Sequence, residues 1–294
     1  MTRWSVIGAP VDCLGADASS LEPFGTELSP AALRDLDMVG RIGGVDHGDL
    51  DVRVVGPERD PATGLVGGTT VHDTVRKVRS GVAELRASGE PVLLLGGCCI
   101  PLMGALAGAR DAQPEVGLVY IDGHLDLYDH LTSPTGEAAD MPTAAVLGIG
   151  EPGLLEAMGA PVLGPERLAV VGPRDPDEPA TVGHLVDQLG LAVHPPERVL
   201  ADPAGVARES IDRAATGGAY WVHLDVDVFD EREFPATDYL MPGGLTLAAG
   251  RTLLQALGAD DRLVGMSVGC YNPDKDADRR CGAALVELVV AAVG

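Results

Sequence analysis

The sequence has few aromatic residues, few basic residues and only short apolar runs. Aromatic residues make up 3% of the 294 residues, so the core has to be built from Val, Leu, Ile and Ala. Lys and Arg number 21 against 44 Asp and Glu, and the net charge of −23 repels phosphate backbones and anionic lipids. The apolar runs at residues 91–95 and 288–293 are far shorter than the ~18 residues that span a bilayer. We therefore expect a small-molecule partner, and neither nucleic acid nor a membrane.

Cysteine is also scarce. Five cysteines are too few for a disulfide scaffold, and the N-terminal residues pass directly into an apolar run without the pattern of a signal peptide. These features predict a cytoplasmic protein with reduced thiols. Because no composition break, repeat or low-complexity linker divides the chain, we expect one domain over residues 1–294.

Short apolar runs alternate with helical patterns along the chain. Six runs are mainly apolar and do not alternate with polar residues, which is typical of parallel strands covered on both faces: residues 4–7, 92–95, 117–121, 168–171, 220–226 and 263–268. Helical stripes, such as the one over residues 71–85, separate them. The pattern predicts an α/β fold in which a parallel sheet lies between helix layers, with the ligand site beyond the carboxyl ends of the strands.

Two strands run directly into clustered carboxylates. Asp122, His124 and Asp126 follow the third predicted strand, and Asp225 and Asp227 come at the end of the fifth. In extended chain, alternate residues share a face, so each set is expected to point one way. Such residues can simply be solvated loop residues or helix caps. Against this, carboxylates clustered without a cation lose several kcal/mol to desolvation and repulsion. The spacing favours a dinuclear metallohydrolase with Mn²⁺ as the first choice of metal.

The same segments carry motifs that resemble the arginase/agmatinase (ureohydrolase) family. The sequence DGHLD at residues 122–126 resembles the DAHxD motif of that family, and HLDVDVFD at residues 223–230 resembles its SxDxDxxDP motif. The segment at residues 234–246 resembles PATGTPxxGGLT. GGCC at residues 96–99 stands where the family has GGDH, and CYNP at residues 270–273 stands where it has EvNP. The motifs occur in the family order and cover nearly the whole chain.

The resemblance implies a three-layer αβα sandwich with a mostly parallel eight-stranded sheet, in a homo-oligomer that is a trimer or hexamer. It also implies hydrolysis of a C–N bond in a guanidine or amidine by a hydroxide bound to two divalent metal ions. By the same resemblance Asp122 and Asp225 bridge the ions, His124 and Asp227 complete one site, and Asp126 belongs to the other.

Two departures from the family pattern involve cysteine. Cys99 replaces a metal-binding His, and two interpretations stay open: a small buried residue beside a weakened outer site, or a thiolate ligand. A thiolate would admit Zn²⁺, Fe²⁺, Co²⁺ or Ni²⁺ beside Mn²⁺. Cys270 replaces the Glu that holds the guanidinium group of the substrate. Because an unmatched buried charge costs ~3–5 kcal/mol, arginine and agmatine are disfavoured as substrates.

A third departure lies in the loop at residues 131–142, where Ala139 replaces the His that shuttles protons in the family. His130, Glu137 or Asp140 are candidates to take over general acid–base catalysis, a role typically worth ~10²–10⁴-fold in rate. Two of these residues also have plainer interpretations. His130 can be a solvated loop residue, and Asp140 can cap the following helix.

The resemblance also assigns substrate contacts to this loop. Ser133 and Thr135 keep hydroxyl groups at matching positions, and Tyr128 replaces another polar contact. Glu137 replaces an Asn that contacts the substrate carboxylate, so it favours a cationic or hydroxyl-bearing substrate end. His223 stands where the family has a small residue. Because alternate residues of an extended strand share a face, His223 is expected on the same side as Asp225 and Asp227, in a supporting position behind the ligands.

The leading hypothesis is therefore a metal-dependent hydrolase of linear C–N bonds that is neither an arginase nor an agmatinase in specificity. Candidate substrates carry a formimino group, a substituted or hydroxylated guanidine, or an amide. The alternative is a catalytically weak or inactive metal-binding homologue with an assembly or regulatory role. A third hypothesis is a single-metal site of the deacetylase type, built from His124 and two Asp ligands.

Overall fold

The computed structural model describes residues 3–13 and 25–294. Within those residues eight strands form one sheet in the order β2-β1-β3-β8-β7-β4-β5-β6, and every neighbouring pair is parallel. The strands are β1 (Ser5–Ala9), β2 (Val45–Asp49), β3 (Val92–Gly96), β4 (Val116–Ile121), β5 (Leu168–Val171), β6 (Ala192–His194), β7 (Ala219–Asp225) and β8 (Leu263–Gly269). The sheet confirms the predicted α/β class, and it is parallel throughout.

The six apolar runs match β1, β3, β4, β5, β7 and β8 to within two residues at either end. The two strands without an apolar run, β2 and β6, are the edges of the sheet. Strand β2 has the sequence VDHGD and is largely exposed, and β6 has only three residues. An edge strand pairs on one side only and is covered less, so it carries no continuous apolar pattern.

Helices cover both faces of the sheet, as the three-layer prediction requires. One face packs against α3 and α4, and a buried stripe on α3 consists of Val71, Val75, Val78 and Val82. The other face packs against α1, α10, α11 and α12. The helices are α1 (Ser29–Asp35), α2 (Met38–Arg41), α3 (Thr69–Arg86), α4 (Ile100–Ala112), α5 (Pro142–Val146), α6 (Pro152–Met158), α7 (Glu178–Thr181), α8 (Gly183–Leu189), α9 (Pro196–Ala201), α10 (Pro203–Ala214), α11 (Leu247–Gly258) and α12 (Arg280–Val293). No helix in the described part of the chain is long and apolar enough to cross a membrane.

Four neighbouring strands in the middle of the sheet, β3, β8, β7 and β4, end at the same edge. The residues at or just beyond their carboxyl ends are Cys99, Cys270, Asp225 and Asp122. In an open parallel sheet this edge is where ligands bind. The fold therefore brings together reactive side chains that lie far apart in sequence. Cys99 and Cys270, for example, are separated by 171 positions and their sulfur atoms lie 3.7 Å apart.

Candidate metal centre

The first carboxylate segment turns sharply after β4 instead of continuing as extended chain. Asp126 adopts a left-handed backbone conformation with φ of 49°. The buried carboxylate of Glu178 accepts the backbone N–H groups of Leu125 and Asp126, the latter at 2.9 Å. On the other side Thr143, in the first turn of α5, donates its hydroxyl to the Asp126 carbonyl at 2.7 Å. The expectation of simple alternation over this segment is therefore wrong, because side-chain contacts bend the chain.

The second segment also turns. Residues Val226–Val228 form one turn of 3₁₀ helix, and the carboxylate of Asp225 accepts the N–H of Asp227 at 2.8 Å. Asp227 in turn accepts the N–H of Gly123 at 2.9 Å. These bonds tie the two carboxylate segments together directly. The residues that alternation was expected to align are thus assembled by a helical turn and cross-strand hydrogen bonds.

Asp122, His124 and Asp227 form one group of potential metal ligands. The Nδ1 atom of His124 lies 3.0 Å from a carboxylate oxygen of Asp227 and 3.3 Å from one of Asp122. Its other nitrogen, Nε2, lies 3.6 Å from Asp175. That separation is longer than a hydrogen bond, whereas Nδ1 faces the two carboxylates of the group. Nδ1 is therefore the atom of His124 that can bind a cation.

Cys99, Asp122, His223 and Asp225 form a second group, and its ligand atoms all lie within 4.8 Å of one another. The Cys99 sulfur lies 2.8 Å from an Asp225 oxygen and 3.9 Å from an Asp122 oxygen. All four side chains are buried. Asp122 belongs to both groups, which agrees with the bridging position that the family resemblance gives it.

Asp126 lies in neither group of potential ligands. Its carboxylate accepts a hydrogen bond from the hydroxyl of Tyr120, a fully buried residue of β4. Asp126 nevertheless lines the same cavity as the other carboxylates. The structure therefore gathers five of the six predicted ligands into two compact groups and holds Asp126 beside them by a different contact.

The buried carboxylates are poorly solvated in the protein alone. Burial raises the pKa of Asp122 to about 6, and it raises the pKa of Asp225 and Asp126 well above the usual range. Hydrogen bonding with Cys270, together with burial, raises the pKa of the Cys99 thiol. Divalent cations would relieve this shared electrostatic cost, because they favour the deprotonated carboxylate and thiolate forms. The donor set therefore fits two metal ions.

All members of these two groups except His223 line a cavity of about 190 Å³. Nine carboxylate residues line it, and no Lys or Arg does so within the described ranges 3–13 and 25–294: Asp122, Asp126, Glu137, Asp140, Asp175, Asp177, Glu178, Asp225 and Asp227. A concentration of negative charge at low solvent exposure raises the local concentration of cations. The cavity thus suits metal ions at its buried end and a positively charged small molecule.

Most predicted substrate and acid–base residues reach this cavity. Tyr128, Thr135, Glu137, Asp140 and Cys270 line it, and so does Ala139, the residue at the position of the missing His. Cys270 has a left-handed backbone (φ 65°), and its sulfur lies 3.7 Å from that of Cys99.

Two predicted residues are placed elsewhere. Neither His130 nor Ser133 is among the described residues that line the cavity. The backbone carbonyl of His130 accepts a hydrogen bond from Arg59. Because His130 does not line the cavity, we do not assign its ring to proton transfer. Ser133 instead donates its hydroxyl to Asp140 at 2.6 Å. Asp140 does not cap α5, because Met141 stands at that position.

Sequence reasoning missed three functional candidates. Glu178 and Asp175 follow β5, and Tyr239 donates its hydroxyl to Glu137 at 2.7 Å and packs edge-on against His124. The rule that places ligand chemistry after parallel strands applies to β5 as well, so Asp175 and Glu178 could have been found from it. Tyr239 had no comparable signal, since it lies in a loop far from any strand end.

We expect Glu178→Ala to destabilise the protein at pH 5 by about 1–3 kcal/mol. At that pH the carboxyl is mainly neutral, because burial raises its pKa to about 7, and Ala leaves the buried N–H groups of Leu125 and Asp126 without their acceptor. The measurement is denaturant unfolding of the metal-free protein. Glu166→Ala serves as the control because Glu166 is 66% exposed, and it should change the free energy of unfolding by less than about 0.5 kcal/mol. Equal stability of both variants would contradict the assignment.

Comparison with known proteins agrees with the geometry. The model of the arginase family matches residues 2–294. An arginase from Brevibacillus brevis is 27% identical over 301 residues, covering 99% of this chain and 97% of that protein. An N(omega)-hydroxy-L-arginine amidinohydrolase from Streptomyces lavendulae is 29% identical over 221 residues, 75% of each chain. The crystal structure of an arginase from Bacillus cereus superposes with a TM-score of 0.88 at 25% identity, covering 100% of this chain and 99% of that one. The chain therefore belongs to the arginase family.

Proposed function

We propose that this protein is a metal-dependent hydrolase of linear C–N bonds. Its substrate is a small amidine or substituted guanidine whose far end carries a positive charge or hydroxyl groups. The observation that supports this proposal most directly is the cavity of about 190 Å³. Residues of two potential metal-ligand groups line it, together with further carboxylates. Family membership supports hydrolysis, and the lining supports a cationic substrate.

The metal-binding residues have distinct tasks in this proposal. Asp122, which belongs to both ligand groups, is suited to hold two cations close together. His124 presents Nδ1 to the carboxylate of Asp227 at 3.0 Å, and Asp175 lies 3.6 Å from its Nε2. Two bound divalent cations would supply activation of a water molecule and polarisation of the substrate. Glu178 keeps the turn that carries Asp126 in shape.

Asp140 is the residue best placed to move protons. Its Oδ2 accepts hydrogen bonds from Ser133 at 2.6 Å and Thr135 at 3.1 Å, and its buried Oδ1 has no partner in the described part of the chain. Burial raises the pKa of Asp140 to about 6, close to the range where a carboxylate both accepts and returns a proton near neutral pH. We assign Oδ1 to accept a proton from water and to deliver it to the leaving nitrogen.

Glu137 determines which substrate end is accepted. Its Oε2 accepts the Tyr239 hydroxyl at 2.7 Å, and the residue lines the cavity. A substrate carboxylate placed here would be repelled, whereas an amine or a hydroxyl would be bound. The relative from Streptomyces lavendulae is named for a hydroxylated guanidine, which is consistent with a substituted head group as substrate.

A panel of matched compounds tests the proposal. Formimino, guanidino and N-hydroxyguanidino compounds are each prepared with an amine, a hydroxyl or an α-amino acid at the far end. Protein loaded with Mn²⁺, Zn²⁺ or Co²⁺ is assayed for the released amine and for its co-product, which is formamide, urea or hydroxyurea for the three head groups in turn. Compounds ending in an amine or hydroxyl should give higher kcat/KM than their α-amino acid counterparts. Glu137→Gln should narrow that preference roughly fivefold, or ~1 kcal/mol for a partly exposed pair.

Two results would contradict parts of this proposal. Preference for α-amino acid ends in the wild-type protein would remove the role given to Glu137. Absence of any product, from protein shown to contain metal, would favour the catalytically inactive homologue with an assembly or regulatory role.

A further inference from the structure

One imidazole beside the cavity has no task in the proposed function. His223 lies in β7, two residues before Asp225, and is fully buried. Its Nε2 lies 3.4 Å from the Cys99 sulfur, inside the ligand group that Asp122 and Asp225 complete. Metal bonds of ~2.0–2.3 Å in a tetrahedral site separate ligand atoms by roughly 3.3–3.8 Å. The contacts of Cys99 to Asp225, His223 and Asp122, at 2.8, 3.4 and 3.9 Å, bracket that range.

The rest of the His223 side chain is organised as the outer contacts of a metal-binding histidine usually are. Its Nδ1 lies 2.7 Å from the hydroxyl oxygen of Ser267 on the adjacent β8, directly opposite in register. Ser267 also accepts the indole N–H of Trp221 at 3.0 Å. With the Nδ1 proton donated to Ser267, the lone pair of Nε2 faces Cys99. This is the tautomer that a metal requires.

The strand on the other side of β7 supports the same ring. Tyr120 of β4 lies opposite His223 in register, and the two rings stack with centroids 5.2 Å apart and planes inclined by 14°. The hydroxyl of Tyr120 is bonded to Asp126, the residue that the family resemblance gives as a ligand at this site. One side chain therefore both packs against His223 and engages Asp126.

From this arrangement we infer that His223 is a direct ligand of the ion that Cys99, Asp122 and Asp225 hold, in the place of Asp126. The imidazole that the family carries at position 99, just after β3, would thus be supplied by β7, which lies two strands away in the sheet. A set of one thiolate, one imidazole and two carboxylates suits Zn²⁺, Fe²⁺ or Co²⁺ better than Mn²⁺. The inference rests on the metal-binding part of the proposed function and does not depend on the substrate.

Cobalt binding tests this inference without an activity assay. Metal-free wild-type protein and the variants Cys99→Ala, His223→Gln and Asp126→Asn are titrated with Co²⁺. A thiolate-to-cobalt charge-transfer band in the near ultraviolet reports Cys99 binding, and elemental analysis gives the number of ions per chain. The wild-type band should be absent from Cys99→Ala. For His223→Gln, half-saturation should need about 10²-fold more Co²⁺ or more, since losing only an outer-shell partner costs ~10–100-fold.

The Asp126→Asn variant is the matched comparison, and it should keep the band with half-saturation within about threefold of wild type. Unchanged half-saturation in His223→Gln would overturn the inference, as would a wild-type protein without a thiolate band. Hydrolysis enters none of these readouts. A protein that turns over no substrate but loses cobalt in His223→Gln supports the inference while refuting the proposed function.

A second measurement covers the case in which His223→Gln fails to fold. The His124→Asn variant keeps the buried strand residues and removes the other nearby imidazole. X-ray absorption of this variant, loaded with one equivalent of Zn²⁺, should show sulfur scattering together with the outer-shell scattering of an imidazole. Sulfur without imidazole, or no sulfur, would overturn the inference.

Discussion

Asp225→Asn should lower metal-dependent hydrolysis by about 10³-fold or more and leave the metal-free fold at least as stable as the wild type. Metal-ion catalysis supplies several kcal/mol of barrier reduction. Since each ~1.4 kcal/mol is a factor of ten in rate, loss of an ion from the cavity has an effect of this size. Asn keeps the shape of Asp but is a far weaker metal ligand.

The stability of the metal-free variant follows from the surroundings of Asp225. The side chain is buried, and burial raises its pKa well above the usual range, with Asp227 and Asp122 acting in the same direction. A neutral amide removes that electrostatic cost. Its oxygen still accepts the N–H of Asp227, and its NH₂ group donates to the sulfur of Cys99 where the thiol donates to the carboxylate in the wild type. A residue with a merely structural role would give the opposite result, since its loss would weaken the fold.

Three measurements check this expectation: initial rates with the best compound of the panel, metal content, and thermal unfolding of metal-free protein. Asp230→Asn is the control on the same segment. Asp230 accepts the N–H groups of Arg232 and Gly243 and does not line the cavity in the described structure. This control should keep its metal and its rate within a few fold. Full activity in Asp225→Asn would rule out the metal centre as the source of catalysis.

The central strands could be predicted from the sequence because they are covered on both faces. A strand such as β4 has six buried residues in a row, and this produces the uninterrupted apolar run VGLVYI. The edge strand β2 contains Asp46, His47 and Asp49 and faces solvent, so no pattern marks it. Its existence follows from sheet order, which depends on tertiary pairing.

The candidate ligands could also be named in advance, since each directly follows or ends a predicted strand. Their geometry could not. Asp126 is held in a left-handed conformation that residue type does not reveal, and Glu178, more than fifty positions away, holds it there. The rule that side chains alternate along an extended chain holds in β7, where His223 and Asp225 share a side. It fails after β7, where the chain leaves the sheet in a turn of 3₁₀ helix. The contact of Tyr120 with His223 depends on the register between β4 and β7.

Asp140→Asn should lower kcat/KM at pH 8 by about 10²–10⁴-fold, the range typical for loss of a general acid–base group. In the wild-type protein, burial raises the pKa of Asp140 to about 6. Because the carboxylate form accepts the first proton, the rate should fall as the pH drops below about 6. The variant should lack this limb of the pH profile. Metal content is measured at each pH, so that release of metal is not mistaken for titration of Asp140.

The same substitution should stabilise the folded protein above pH 6. The folded-state pKa of about 6 lies above the ordinary value of 3.8, so the favourable contribution of protonated Asp140 is complete below pH 3.8 and is lost as pH rises through 6. At pH 7–8 the buried carboxylate is ionised at a cost of up to ~3 kcal/mol. Asn removes that cost and can still accept from Ser133 and Thr135. Urea unfolding at pH 4 and pH 8 should show a difference between variant and wild type only at the higher pH.

Ser133→Ala separates proton transfer from a structural effect of Asp140. The Ser133 hydroxyl lies 2.6 Å from Asp140, outside the cavity lining of the described residues, and its hydrogen bond favours the charged form. Removing it should raise the pKa of Asp140 and move the acidic limb of the rate profile to higher pH, with metal content unchanged. A role for Asp140 limited to packing predicts no such movement. If the limb stays in place in Ser133→Ala, or survives in Asp140→Asn, the proton is carried by another group. Because Ala139 offers only a methyl group, another of the carboxylates that line the cavity would then be the residue to test.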